Sequence, residues 1–317
     1  MNRRDSVPAL LLRRLAGAVP LLLGVTLIGF FLTQNLAPNP VWELAGRSPT
    51  AAELAALEAQ LGRGGLDGYL DFLGGLLVLD PGASLITGES IRSILSRTVP
   101  VTLALMSPGL VIGTALAIGL GLLAARHHGR WLDHGLAGVS AVSMSVSLVV
   151  VVMLSQMVFS VWLGWFPARG WSTTSVADWL LHVSVPTLII VLVNLGFNVR
   201  FFRALWLEAL HQPTVRAGRA FGLSEGAIFW RRLLPWAAGP IMTRLVFSVP
   251  MLILGGSLVI ETHFGIPGIG RVFYNAVLSG DQPVILAFVA LAGSLVVVAQ
   301  TLVDLMIRRI DPRTRDA

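Results

Sequence analysis

Val139-Ser-Ala-Val-Ser-Met-Ser-Val-Ser-Leu-Val-Val-Val-Val-Met-Leu-Ser-Gln-Met-Val-Phe-Ser-Val-Trp162 carries only serines and Gln156 as polar side chains. A helix of that length, at 1.5 Å per residue, reaches across the roughly 30 Å apolar core of a bilayer. The rest of the chain has the same character. Of 317 residues, 55% are apolar and 13% charged, and the mean hydropathy is +0.77. A soluble protein of this size needs a more charged surface, so lipid is expected to cover much of the exterior. Reading outward for similar runs predicts spans at 15–36, 100–124, 135–160, 182–202, 239–261 and 283–307. The fold class that follows is all-α, a polytopic membrane protein with about six transmembrane helices.

The charges between these runs agree. All 23 basic residues are arginine, against 17 acids, for a net charge of +6. Without lysine the chain cannot form a G-x-x-x-x-G-K-[ST] phosphate loop, so no nucleotide site of that kind is expected. The arginines flank hydrophobic runs, which makes them topology determinants rather than a nucleic-acid surface. Arg3, Arg4, Arg13 and Arg14 precede the first run, and Arg126 and Arg130 the third. Arg203, Arg216, Arg219, Arg231 and Arg232 lie in 203–238, and Arg308, Arg309, Arg313 and Arg315 in the tail. The intervening segments are poor in arginine or acid-rich; 37–99 sets Arg47, Arg63, Arg92 and Arg97 against Glu43, Glu53, Glu58, Asp67, Asp71, Asp80 and Glu89. Segments 161–181 and 262–282 hold Arg169 with Asp178 and Arg271 with Asp281. Such alternation is what an even number of spans with both termini in the cytoplasm produces. The expected division is a cytoplasmic segment 1–14, a first span 15–36 without a cleavage site behind it, and a periplasmic region 37–99. A five-helix core 100–307 containing the cytoplasmic loop 203–238 follows, then a cytoplasmic tail 308–317. The absence of cysteine excludes disulfides and thiolate metal sites.

Two segments outside the spans have structure of their own. In 37–99, Thr50 is placed to cap a helix running from Ala51 through Leu61. The more apolar Leu66–Leu77 has the pattern of a helix lying on the membrane surface. Asp80-Pro-Gly-Ala-Ser-Leu reads as a turn. The region is either a folded spacer or a partner-docking element. In 203–238, Pro213 suits the first turn of a short helix over 214–221. Gly222 suits its left-handed cap, and Ser224 caps a second helix from Glu225 towards Leu234. The small residues Ala217, Gly218 and Ala220, flanked by Arg216 and Arg219, would let another surface approach the backbone. The alternative is an ordinary amphipathic connector.

This loop resembles the cytoplasmic loop of ABC-importer permeases, whose pattern is E-A-A-x3-G-x9-I-x-L-P. Arg216-Ala217-Gly218 stand at E-A-A, Gly222 at the glycine, Arg232 at the isoleucine and Leu234-Pro235 at the close. Val215-Arg-Ala-Gly-Arg-Ala-Phe-Gly-Leu-Ser224 is similar to the V-R-T-A-R-A-K-G-L-S form of the dipeptide, oligopeptide and nickel subfamily, with Phe221 in place of lysine. Leu12-Arg-Arg-Leu-Ala-Gly-Ala-Val-Pro-Leu-Leu-Leu-Gly-Val-Thr26 resembles the first span of that subfamily's B-type subunit. Glu261-Thr-His-Phe264-Gly-Ile-Pro267-Gly268-Ile-Gly270 resembles its E-T-x-F-x-x-P-G-x-G signature, and Asp281-Gln-Pro-Val and Asp311-Pro312-Arg313 also match. These ordered matches cover nearly the whole chain.

The resemblance implies a type I importer permease fold and a non-catalytic subunit that forms half of a translocation path with a second, related permease. It implies two cytoplasmic ATPases, which bind ATP and Mg, gripping Val215, Arg216, Ala217, Gly218, Arg219, Ala220, Gly222, Leu223, Ser224 and Glu225. A periplasmic binding protein would deliver peptides, nickel chelates or opine-type metallophores. Glu261, Phe264, Pro267, Gly268 and Gly270 would form an outer re-entrant or surface turn near its dock, as a gate or docking element. This chain itself is expected to hold no cofactor, metal or nucleic acid.

Polar groups inside spans cost free energy and usually face protein or a water-filled path. Asn194, Asn198, Ser248 and Ser257 are the candidates for the path, with Gln156 and Gln300 beside them; inter-helix hydrogen bonding is the simpler role for each. Arg244 and Asp304 lie near cytoplasmic ends and are expected to snorkel or pair rather than to touch substrate. His263 lacks clustered partners for a metal, and His127–His128 reads as a solvated turn. Prolines 235, 240 and 250 are expected to bend or segment the fifth span. Two other classes compete: a secondary transporter, which needs paired broken helices and intramembrane carboxylates, and a membrane-embedded enzyme, which needs a Ser/His or metal constellation. Neither pattern is present in the spans, and no G-x-S-x-G or H-E-x-x-H falls within them.

Overall fold

The computed structural model describes residues 7–45, 49–61, 66–78 and 80–310. The arginines and acids assigned above to 1–6, 46–48, 62–65 and 311–317, and the Asp311-Pro312-Arg313 match, lie outside the described residues. Within them the secondary structure is helical apart from one antiparallel bridge, Ala83 to Ser90. The helices are α1 Val7–Leu36, α2 Pro40–Leu44, α3 Ala51–Leu61, α4 Leu66–Leu77, α5 Ile91–Arg126, α6 Trp131–Ser145 and α7 Leu148–Gln156. They continue as α8 Val176–Leu210, α9 Pro213–Ala220, α10 Glu225–Ile228, α11 Leu234–Met251, α12 Ser257–Phe264, α13 Ile269–Ser279 and α14 Gln282–Ile310.

Five helical stretches are long and apolar enough to cross a membrane: Leu12–Leu36, Ile91–Arg126, Val176–Leu210, Glu225–Phe264 and Gln282–Arg308. The third expected span, 135–160, is not one straight helix. α6 and α7 meet at a 95° bend, and α7 runs on as a π-helical turn, Met157–Trp162. Val146 and Ser147 are extended at the break (ψ 129° and 138°). Serine competes for nearby backbone groups and weakens a helix, as Ser145 does by donating to the Ala141 carbonyl at 2.9 Å. Hydropathy counts these residues as passable and is blind to the bend. The second deviation is in the fifth span. The helix expected from Glu225 is not a separate element but the head of a run that continues to Phe264. π-helical turns at Phe229–Leu233 and Leu252–Gly256 interrupt it, one just before Pro235 and the other just after Pro250. Pro235 follows the first of these turns closely, whereas Pro240 is accommodated within unbroken α11.

The chain forms two compact units, one built on Ala104–Leu252 and the other on Pro8–Leu103 with Ile253–Val298. In the first, α5 presents Gly109, Gly113, Ala117 and Gly121 at four-residue spacing to α8. A Cβ at Gly109 would sit 2.6 Å from the Ile190 Cβ, and one at Gly121 would sit 2.7 Å from the Phe202 Cβ and 2.9 Å from the Arg203 nitrogen. A Cβ at Gly113 would lie 3.0 Å from the Asn194 Cβ. Lipid offers no hydrophobic reward for helix association, so such backbone-close packing supplies it. Trp206, fully buried, donates its indole N–H to the Ile118 carbonyl at 3.1 Å. Around it Phe202, Ala209, Val215, Ile228 and Leu233 form one apolar cluster.

In the second unit, Thr50 and Glu53 exchange backbone and side-chain hydrogen bonds in a capping box (2.9 and 3.3 Å). The bond from the Thr50 N–H holds the Glu53 carboxyl below its ordinary range. α4 does not stand alone as a surface helix. Tyr69 and Phe72 are buried with Phe30 of α1, and the Tyr69 hydroxyl donates to the Leu23 carbonyl at 3.0 Å. Asp281 accepts from the Ser84 hydroxyl (2.5 Å) and the Leu85 N–H (3.0 Å), fixing the turn after α4. Replacing Gly109 by valine should cost about 1–3 kcal/mol by overpacking α5 on α8. A lowered unfolding midpoint of the detergent-solubilised protein checks this; an unchanged midpoint contradicts the helix approach.

Candidate functional site

The segment after α8 is built from short-range hydrogen bonds. Pro213 occupies the first turn of α9, where a missing N–H costs nothing. Its far end is closed by two backbone bonds, Leu223 N–H to the Gly218 carbonyl (3.1 Å) and Gly222 N–H to the Arg219 carbonyl (3.0 Å). This is a Schellman cap, and it needs the left-handed backbone of Gly222 (φ +74°). The Ser224 hydroxyl accepts from the Ala227 N–H at 3.3 Å and starts α10. Arg219 grips Glu225 with two bonds (2.9 and 3.3 Å), tying α9 to the head of the long run.

Burial sorts the expected site residues into two sets. Val215 and Gly218 are buried, and Leu223 is partly so. A Cβ on Gly218 would meet Ile228 and Leu223 at 3.5 Å, ordinary contact distance. Gly218 therefore faces the protein rather than an approaching surface, which corrects the grip expected of it, and an alanine fits there. Arg216, Ala217, Arg219, Ala220, Gly222, Ser224 and Glu225 are exposed. Phe221 and Trp230 are 86% and 67% exposed, the two large apolar groups of this segment outside its core. In the sequence Phe221 stands out only as a departure from lysine, and nothing marks Trp230. Behind α9, Arg203 chelates the buried Asp133 of α6 through Nε to Oδ1 and through Nη2 to Oδ2 at 2.6 Å. His128 Nδ1 lies 3.0 Å from the same Nη2 and 3.2 Å from Asp133, so the expected solvated turn is pinned.

The E-T-x-F-x-x-P-G-x-G stretch is a helix–turn–helix, α12 to α13, turned at the left-handed Gly265 (φ +70°). Glu261 is fully buried. Its Oε1 accepts from the Thr102 hydroxyl at 2.6 Å, and its Oε2 from the Arg271 N–H at 3.1 Å. Thr102 in turn accepts from the Ile269 N–H at 2.9 Å. Between them they satisfy free donors in the first turn of α13, the work of a cap residue supplied from elsewhere in the chain. Gly268 passes so close to the Glu261 carboxylate that a Cβ would overlap it. One at Gly270 would lie 2.6 Å from the Ser257 hydroxyl and the Leu258 nitrogen. Phe264, Gly268 and Gly270 are buried with Glu261, and Pro267 alone of the five expected docking or gate residues is exposed. The stretch is thus a buried brace rather than an open surface turn.

Ser248 and Ser257 donate to carbonyls of their own helices, Arg244 and Ile253. Asn194 and Asn198 bond to each other at 2.8 Å, and Arg244 Nε donates to Asn198 Oδ1 at 2.7 Å. Thr102→Val should cost about 1–3 kcal/mol by leaving the Ile269 N–H buried without an acceptor. Thr102→Ser should lose far less, and thermal unfolding of both variants in detergent checks the pair.

Comparison with known proteins places these features. Residues 117–316 match the family described as binding-protein-dependent transport system inner membrane component. A Brucella abortus (strain 2308) protein named as a peptide transport system permease is 31% identical over 313 residues, covering 97% of this chain and 99% of its own. The oligopeptide transport system permease protein AppB of Bacillus subtilis (strain 168) is 28% identical over 315 residues, covering 96% and 98%. A Brucella suis protein named as a peptide permease is 32% identical over 316 residues, with the same coverage. With the matched region taking up more than half of its length, this chain belongs to the binding-protein-dependent transport system inner membrane components, as a multi-pass permease subunit of an ABC transporter.

Proposed function

We propose that this permease forms half of the translocation path of an ATP-driven importer for peptides, with both termini in the cytoplasm and 37–99 in the periplasm. A second, related permease completes the path, a periplasmic binding protein delivers the solute, and two cytoplasmic ATPases carry ATP and Mg. The names of the full-length relatives support peptides as the solute, and the alternation of arginine-rich and arginine-poor segments supports the orientation.

The observation that carries the coupling role is α9 itself. It is an exposed short helix whose inner face, Val215 and Gly218, is seated beside Ile228, at the head of the Glu225–Phe264 run. The Schellman cap and the Arg219–Glu225 pair leave it little freedom to move alone. A push on α9 is therefore delivered along a helix of bilayer-spanning length rather than absorbed in a loop. Such rigid displacement is how small movements at one site become opening and closing at another. Ala217, Ala220, Phe221, Gly222 and Ser224 form the face on which an ATPase would seat, with Phe221 as the apolar anchor.

Phe221→Glu tests this without disturbing the core, because the ring is exposed. Co-purified ATPase and ATP-dependent uptake should both fall by about tenfold or more, while expression and unfolding temperature stay as in the wild type. Undiminished ATPase retention in this variant and in Gly222→Arg would remove α9 from the coupling role.

A further inference from the structure

Arg244 is a guanidinium inside a helical run apolar enough to span a bilayer, and its surroundings are one-sided in chemistry. Its Nε donates to Asn198 Oδ1 at 2.7 Å, and its Cζ lies over the Phe201 ring, 5.2 Å from the centroid. Guanidinium nitrogens can only donate, so the oxygen of Asn198 must face Arg244 and its NH2 must point away. That NH2 donates to Asn194 Oδ1 at 2.8 Å. The direction of the whole chain is thereby set, and each amide oxygen already accepts one bond within it. What remains unspent are donors: Nη1 and Nη2 of Arg244 and the NH2 of Asn194. Among the described residues no carboxylate lies within ion-pairing distance of Arg244. Asn198 is buried, while Asn194 and Arg244 are half-buried, so the donors are reachable.

A cation in a span usually pairs, lines a water-filled path or snorkels to the interface, and the bond to Asn198 holds this one against α8. This one is steadied by an asparagine and an aromatic face, with its two terminal nitrogens left over. A fork of that geometry matches the two oxygens of a carboxylate. We propose that Arg244, Asn194 and Asn198 form a transient recognition site for a carboxylate of the transported solute, the C-terminal carboxylate of a peptide being the form that follows from the function proposed above, on which this inference rests. The site differs from a high-affinity pocket in holding the anion by one charged group, so that the solute can leave.

The test uses the complete transporter in proteoliposomes with saturating binding protein. It compares the turnover of a peptide with that of its C-terminal amide, in wild type and in Arg244→Gln. The binding protein's own preference is common to both and cancels. The acid-to-amide ratio should fall by about tenfold in Arg244→Gln, the scale of a lost charged hydrogen bond. Asn198→Asp, which keeps the arginine but gives it an internal carboxylate, should lower the ratio likewise. ATPase stimulation by the loaded binding protein should persist in both variants and shows that they are folded and assembled. An unchanged ratio, or an equal loss for acid and amide, overturns the inference. So does an Arg244→Gln defect that appears in vesicles containing phosphatidylglycerol and vanishes in phosphatidylcholine alone, which would assign the guanidinium to an anionic lipid. A wild-type transporter that takes up neither peptide overturns the peptide reading and this inference with it; uptake with an unaltered ratio overturns this inference alone.

Discussion

The approach of α5 to α8 with almost no side chain between them is the constraint on which the rest depends. Gly109, Gly113, Ala117 and Gly121 strip one face of α5 to backbone, and Ile190, Asn194 and Phe202 of α8 lie against it. In lipid this contact has to come from close van der Waals packing, since burial of apolar surface away from water contributes nothing between two lipid-bathed helices. Once α8 is locked this way, the positions of its polar residues follow. Asn198 accepts from Arg244 and donates to Asn194, Arg203 meets Asp133, and Trp206 reaches the Ile118 carbonyl. The short helix α9 begins only three residues after α8 ends. Its place is therefore inherited from the same packing.

The second unit answers a different demand. A turn of helix–coil–helix exposes free N–H groups, and where water is excluded each must find an acceptor. Glu261 and Thr102 supply acceptors to the start of α13 from residues far apart in sequence, and glycine at 268 makes the space for the carboxylate. The E-T-x-F-x-x-P-G-x-G pattern is then one physical device. The glutamate is the acceptor, Gly265 the left-handed turn, and the later glycines the clearance. A buried phenylalanine between them holds the turn in place.

Much of the site was legible from local chemistry. Pro213, Gly222 and Ser224 act through backbone groups within a few residues, so their roles as first-turn residue, left-handed cap and N-cap could be read directly and appear as expected. Gly218 could not be read so, because whether a small residue faces inward or outward depends on what packs there; Ile228 lies beside it. Trp230 escaped notice for the same reason, since an aromatic next to a span is as often buried as exposed. Arg244 looked like a snorkelling cation from its position in the run, and only its neighbours on α8 show which of its nitrogens are occupied.

By itself, the sequence determined that the chain lives in lipid and is helical, because apolar runs of bilayer length leave the backbone no other way to satisfy its hydrogen bonds. It also determined the caps and the spacing of the 213–225 segment, which are written in adjacent residues. The pairing of Glu261 with Thr102 and that of Arg203 with Asp133 were decided by tertiary structure alone. Each depends on which groups meet across helices, and hydropathy and local spacing do not encode that. The cluster at Arg244 is the clearest case: three residues on two helices acquire a common chemistry only when packing brings the donor of one to the acceptor of the next.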